Sequence, residues 1–165
     1  MELSETFDSE AERYDRARPG YPDELFDDMA ELTSLGRGAR ILEIGPGTGQ
    51  ATRSLLARGY HVTAIEPGER LAAVLRRKTA GLLCEVHVTR FEDWPLPAEP
   101  FDAVFAATSF HWLDAATRLE CIAAVLRPGG ALVIVDTAHV AGGTSASPGP
   151  FPVRSPGRGL RARGS

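Results

Sequence analysis

Three kinds of residue in this chain have the type and spacing to do chemistry. They are the alternating glycines Gly45, Gly47 and Gly49, the carboxylates Glu43 and Glu66 on either side of them, and an imidazole at His111. The glycines follow the apolar run Ile41 to Ile44, which describes a strand ending in a tight turn that opens a helix. Glu66 closes the next apolar run. In an open parallel sheet such a turn and such an acid meet at the carboxyl ends of the strands, where a ribose-bearing ligand sits. The dinucleotide fingerprint needs G-x-G-x-x-G/A. Its third glycine place holds Gln50 in one register and Thr52 in the other, so neither fits. Glu43 also argues against a nicotinamide oxidoreductase, because its carboxylate would repel a pyrophosphate. An anion there suits a ligand carrying positive charge, such as an α-amino group or a sulfonium.

His111 lies in Thr108-Ser109-Phe110-His111-Trp112-Leu113-Asp114, after another apolar run. Histidine titrates near neutral pH and is the natural general base. A histidine beside a tryptophan also packs well against a pocket wall, and both readings stand at this point. His139 is a second base candidate. The four histidines are scattered, and Cys84 and Cys121 lack metal-ligand spacing, so no metal site is expected.

These residues need elements to hold them. Helices are expected at 4–16, 22–35, 48–58, 69–79 and 115–126, from apolar residues at i, i+3, i+4 and i+7. Strands are expected at 40–44, 61–65, 85–89, 103–107 and 131–135, with Pro128-Gly129-Gly130 as a turn. Alternation of strand and helix with short connections argues an α/β fold with a parallel sheet. The near-continuous apolar runs ILEI and ALVIV suit strands buried on both faces.

The chain has 165 residues, which fits one domain. Its first residues are acidic and polar, so no signal peptide is read, and no apolar run approaches the ~20 residues of a membrane span. With the cysteines read as buried free thiols, the expected compartment is the cytoplasm. A net charge of −4 gives no reason to expect nucleic acid.

The run Glu43-Ile44-Gly45-Pro46-Gly47-Thr48-Gly49 resembles motif I of the class I methyltransferases, which bind S-adenosylmethionine. The resemblance implies a Rossmann-like parallel sheet with helices on both faces and strand order 3-2-1-4-5. It places the backbone from Gly45 to Gly49 near the methionine half of the cofactor, Glu43 near its amino group and Glu66 on the ribose hydroxyls. Phe91-Glu92-Asp93-Trp94-Pro95-Leu96 is similar to the family's adenine loop. Many relatives carry an acid two residues before the first acid of that loop, and Arg90 stands there instead. The backbone of Phe91 and the side chain of Glu92 are the substitutes; Phe91 as a plain core aromatic stays open. Phe101-Asp102-Ala103-Val104 and Leu126-Arg127-Pro128-Gly129-Gly130 resemble the family's fourth-strand entry and fifth-strand turn.

The segment from Phe7 to Pro22 is similar to the lid of a small-molecule methyltransferase subgroup, which makes Tyr14 and Arg18 candidates for the cofactor's methionine end. Packing alone is the other reading of Tyr14. Residues 1–36 are thus expected to be a helical lid, 37–140 the cofactor-binding core and 141–165 a disordered tail rich in Gly, Pro, Ser and Arg. Four arginines and no acid lie in that tail. The resemblance stops near residue 143, before the family's strands six and seven. The expectation is a chain cut short after strand five by a shifted frame or a misplaced gene end. Strand five would then be an exposed apolar edge open to self-association. The function implied is methyl transfer to a small-molecule acceptor; a cofactor-binding remnant without activity is the alternative.

Overall fold

The computed structural model describes Arg13, Arg16 and residues 20–137. Tyr14, Arg18 and the tail from 141 lie outside the described residues, as does the expected helix at 4–16 apart from Arg13 and Arg16, which are helical.

The described chain runs α1 (Asp23–Thr33), β1 (Arg40–Ile44), α2 (Gln50–Ala57), β2 (His61–Ile65), α3 (Glu69–Lys78), β3 (Cys84–His87), β4 (Phe101–Ala107), α4 (Arg118–Val125) and β5 (Leu126–Val135). Short 3-10 turns at Phe91–Asp93 and Phe110–Trp112 follow β3 and β4. The strands form one sheet in the order β3-β2-β1-β4-β5. Every neighbouring pair is parallel. The order is the one the resemblance implied, and strands six and seven are not seen among the described residues.

Alternation along the strands sorts the core into two layers. Ile41, Val62, Ala64, Ala103 and Phe105 face α1, α2 and α3, where Phe26, Met29, Leu55 and Leu75 meet them. Phe26 stacks on Phe105 with ring centroids 6.0 Å apart. Leu42, Ile44, Ile65, Val104 and Ala106 face the other way, against Phe91, Leu113 and Ile122 and Val125 of α4. Helices therefore cover both faces, which is what right-handed crossovers on either side of β1 and β4 produce.

The expected and observed elements differ mainly near β3, β4 and β5. β3 ends at His87 and β4 begins at Phe101. Residues 128–130 do not form a separate turn but belong to β5. The ladder jumps from Phe101↔Leu126 to Ala103↔Ala131, so a stretch of β5 bulges outward there. Gly129 supplies the left-handed residue at φ 78°. A Cβ on Gly130 would lie 2.9 Å from the Arg127 carbonyl oxygen, so only glycine fits. Arg127 Nε donates to Asp102 Oδ1 at 2.6 Å and pins the bulge to β4. Asp102 Oδ2 also accepts from the Arg40 backbone N–H at 2.8 Å, joining β4 to β1 at their starts. These two donors, the backbone one first, hold the Asp102 carboxyl below the usual aspartate range.

Candidate cofactor site

A cleft of about 610 Å³ opens at the carboxyl ends of the strands. All five strand ends feed it: Ile44, Gly45 and Gly47 after β1, Glu66 and Pro67 after β2, Arg90 to Glu92 after β3, Thr108 to Leu113 after β4, and Asp136 and Thr137 after β5. Its centre lies where the chain leaves β1 for one side of the sheet and β4 for the other, the switch point at which open α/β sheets bind ligands.

The glycine turn is held from above by Glu66. The Gly47 N–H donates to Glu66 Oε2 at 3.0 Å, and the Gly68 N–H donates to Glu66 Oε1 at 2.9 Å. Glu66 is 5% exposed, so two backbone donors fix a nearly buried carboxylate at the cleft wall. Each carboxylate oxygen accepts more than one hydrogen bond, which leaves capacity for vicinal hydroxyls. Gly45 has φ 64°, and a Cβ there would stand 2.7 Å from Ser109 Cβ. The Ser109 hydroxyl donates to the Ile44 carbonyl at 2.6 Å. Ser109 therefore sews the loop after β4 onto the end of β1, and glycine at 45 makes room for it. Thr108 before it takes the left-handed region at φ 55°. No linear pattern marks Ser109 for this role, because a serine after a strand has no motif and its partner lies 65 residues away.

Two residues expected at the cofactor are displaced from the cleft. Glu43 shares its strand face with Ile41 and points under α2, where Thr52 Oγ1 donates to Glu43 Oε2 at 2.6 Å. It is 2% exposed and does not line the cleft. Burial pushes its carboxyl from 4.5 up to about 7, the Thr52 hydroxyl pulls it back in part, and the charge of Glu66 adds to the rise. Gly49 is the residue before α2, at φ 97°, and a Cβ there would meet Leu75 Cδ1 at 2.6 Å. It serves close packing of α2 against α3, and it does not line the cleft either. The alternation of strand residues explains Glu43, since it stands one position before the cleft-lining Ile44 and so on the opposite face of β1.

The other described candidates line the cleft. Phe91 is 6% exposed and lines the cleft while packing into the second core layer. Glu92 lines it too, but Glu92 Oε1 accepts from the Asp114 N–H at 3.2 Å, tying the loop after β3 to the loop after β4. His111 also lines it, its ring centroid 5.2 Å from that of Trp112. Trp112 is 78% exposed, a large apolar surface beside the cleft. Among the described residues no cluster of His, Cys, Asp or Glu could hold a metal ion, and no helix is long and apolar enough to cross a membrane.

The fold and this site define an α/β protein with an open cleft at the switch point of its parallel sheet. A family described as a methyltransferase domain matches residues 42–134. The chain is 38% identical over 137 residues to an uncharacterised methyltransferase of Mycobacterium tuberculosis, covering 81% of this chain and 53% of that relative. It is 35% identical over 149 residues to one of Geobacillus kaustophilus, covering 83% and 67%. Among solved structures, it is similar to the CcbJ methyltransferase from Streptomyces caelestis, with TM-score 0.61, 26% identity and coverage of 75% of this chain and 54% of that one. The chain belongs to the class I S-adenosylmethionine-dependent methyltransferases. It spans about half the length of the first curated relatives it matches.

The residues present fit that family's cofactor. A nearly buried carboxylate stands at the cleft wall, the glycine turn brings its backbone to the cleft at Gly45 and Gly47, and among the described residues Arg90, after β3, is the one lysine or arginine that lines it.

Proposed function

We propose that the chain binds S-adenosylmethionine in this cleft and transfers its methyl group to a small-molecule acceptor. The observation that carries the reading is Glu66, fixed by the Gly47 and Gly68 N–H groups at the wall of the switch-point cleft. Glu66 accepts the ribose hydroxyls, the backbone of Gly45 and Gly47 passes the methionine end, and Phe91 flanks the base. Glu43 and Gly49 act from behind the turn, by holding α2 in place. Tyr14 and Arg18 cover the cofactor from the 1–36 lid, above the 37–140 core.

When bound, the cofactor supplies an electrophilic methyl group on a sulfonium. The protein then has to align an acceptor and exclude water. His111 sits at the acceptor end, where it takes a proton from a phenol, amine or enol nucleophile. Trp112 offers an apolar wall for the acceptor.

The test is calorimetric titration with S-adenosylhomocysteine, with NAD in parallel and Glu66→Ala as control. Binding of the first ligand only, lost in the variant, supports the reading; binding of NAD alone, or of neither by the folded chain, overturns it. Turnover with candidate acceptors then separates a methyltransferase from a chain that binds cofactor without activity.

A further inference from the structure

The base end of the cleft reads its ligand with a donor. This rests on the cofactor reading above. Glu66 fixes the ribose at the end of β2, and the methionine end lies toward β1 and β4. The strand order therefore puts the base on the β3 side. The groups lining the cleft there are Leu71, Arg90, Phe91 and Glu92.

Their chemistry is one-sided. Leu71 and Phe91 offer apolar surface. Glu92, the one carboxylate among them, has Oε1 engaged by the Asp114 N–H, and its Oε2 lies 3.8 Å from Arg90 Nε. Arg90 is 66% exposed in its side chain and stands at the cleft wall with a planar, donor-only guanidinium. Adenine offers an amino donor at position 6, for which a guanidinium has no acceptor. Against adenine, Arg90 donates to a ring nitrogen or lies over the ring face. A 6-oxo purine instead presents two adjacent acceptors, O6 and N7, which match the guanidinium fork.

We propose that Arg90 is a specificity-determining residue for the purine of the cofactor, and that it makes the site tolerant of a 6-oxo base. The experiment is calorimetric titration of the full chain with S-adenosylhomocysteine and with its 6-oxo analogue, S-inosylhomocysteine. The wild type, Arg90→Ala and Arg90→Asp are compared, each first checked for a cooperative melt. The wild type is expected to bind the two ligands within about threefold. Arg90→Asp restores an acceptor and is expected to shift the ratio toward the adenosyl ligand by about tenfold, the worth of one hydrogen bond gained and one lost. Arg90→Ala falls between. A wild-type preference for the adenosyl ligand of tenfold or more, or a ratio unmoved by Arg90→Asp, overturns the proposal while leaving the cofactor site standing. Binding of neither ligand by folded wild type overturns both.

Discussion

Gly47 and Glu66 are joined by a 3.0 Å hydrogen bond from the backbone N–H of one to Oε2 of the other. The residue that shapes the glycine turn and the residue we propose as the ribose acceptor are thus one unit, spanning β1 and β2. Replacing Glu66 by alanine removes both a turn anchor and that proposed acceptor. The expected loss in S-adenosylhomocysteine affinity is at least about 100-fold, given ~1.5–3 kcal/mol for each hydrogen bond to a charged group. Glu66→Gln, which keeps one oxygen acceptor, is expected to lose less. Titration calorimetry orders the three proteins.

Glu43 makes stability depend on pH in a direction opposite to most carboxylates. Its carboxyl rises from 4.5 to about 7 on folding because it is buried. Between those values the folded state holds a proton that the unfolded state has released. Stability is therefore full below about pH 4.5 and declines as pH rises toward 7, by about 3 kcal/mol from this group. Glu43→Gln keeps an acceptor for Thr52 and removes the ionisation. Urea midpoints at pH 5 and pH 8 are expected to converge in this variant. An unchanged pH slope would rule Glu43 out as its source.

Asp102 supplies the opposite slope. Its carboxyl is lowered by the Arg40 backbone N–H and by Arg127, so its contribution is present above the ordinary aspartate range and fades as pH falls through the lowered value. The pair is partly exposed and its charge is partly screened. Asp102→Ala is expected to cost about 1 kcal/mol, mainly by freeing the bulge in β5 and the start of β1. Chemical denaturation at neutral pH measures this, and a cost near zero would mean that the bulge holds itself.

Gly45→Ala is a test of packing at the site. The new Cβ meets Ser109 Cβ at 2.7 Å in a backbone region that side chains disfavour. We expect about 1–3 kcal/mol of destabilisation and a weaker cofactor affinity, because the Ser109 hydrogen bond to Ile44 must give way. Ser109→Gly in the same background removes the Cβ that the new methyl group meets and relieves the clash. A double-mutant cycle showing no coupling would contradict the contact.

His111 is expected to matter for turnover and not for cofactor affinity. His111→Ala should lower kcat by about 100-fold. S-adenosylhomocysteine titration should change little. Equal losses in both would assign His111 to cofactor packing.

The outer edge of β5 is expected to pair two copies of the chain. Among the described residues no strand pairs with that edge, Ile134 of β5 is 46% exposed, and an unpaired apolar edge templates further pairing. Light scattering reads the mass directly; Ile134→Lys is expected to lower it, and a monomeric wild type would refute the pairing.

The strand order came from the resemblance to the class I methyltransferases; the sequence's own patterns determined a parallel α/β sheet, the glycine turn and the acid at Glu66. Each rests on local signals, such as apolar runs, glycine spacing and strand–helix alternation, that survive without knowledge of distant contacts. The bounds of β1 and β2 were legible for the same reason. Only the tertiary structure decided which side chains reach the cleft. Glu43 turned away because strand residues alternate faces. Gly49 served the contact between α2 and α3 because Leu75 lies over it. Ser109 became the stitch between β1 and the loop after β4, and Glu92 the tie to Asp114, through partners far away in sequence. Pro128-Gly129-Gly130 joined β5 as a bulge because Asp102 and Arg127 meet there. Side-chain direction and long-range hydrogen bonds are properties of packed neighbours, and a linear pattern carries little information about them.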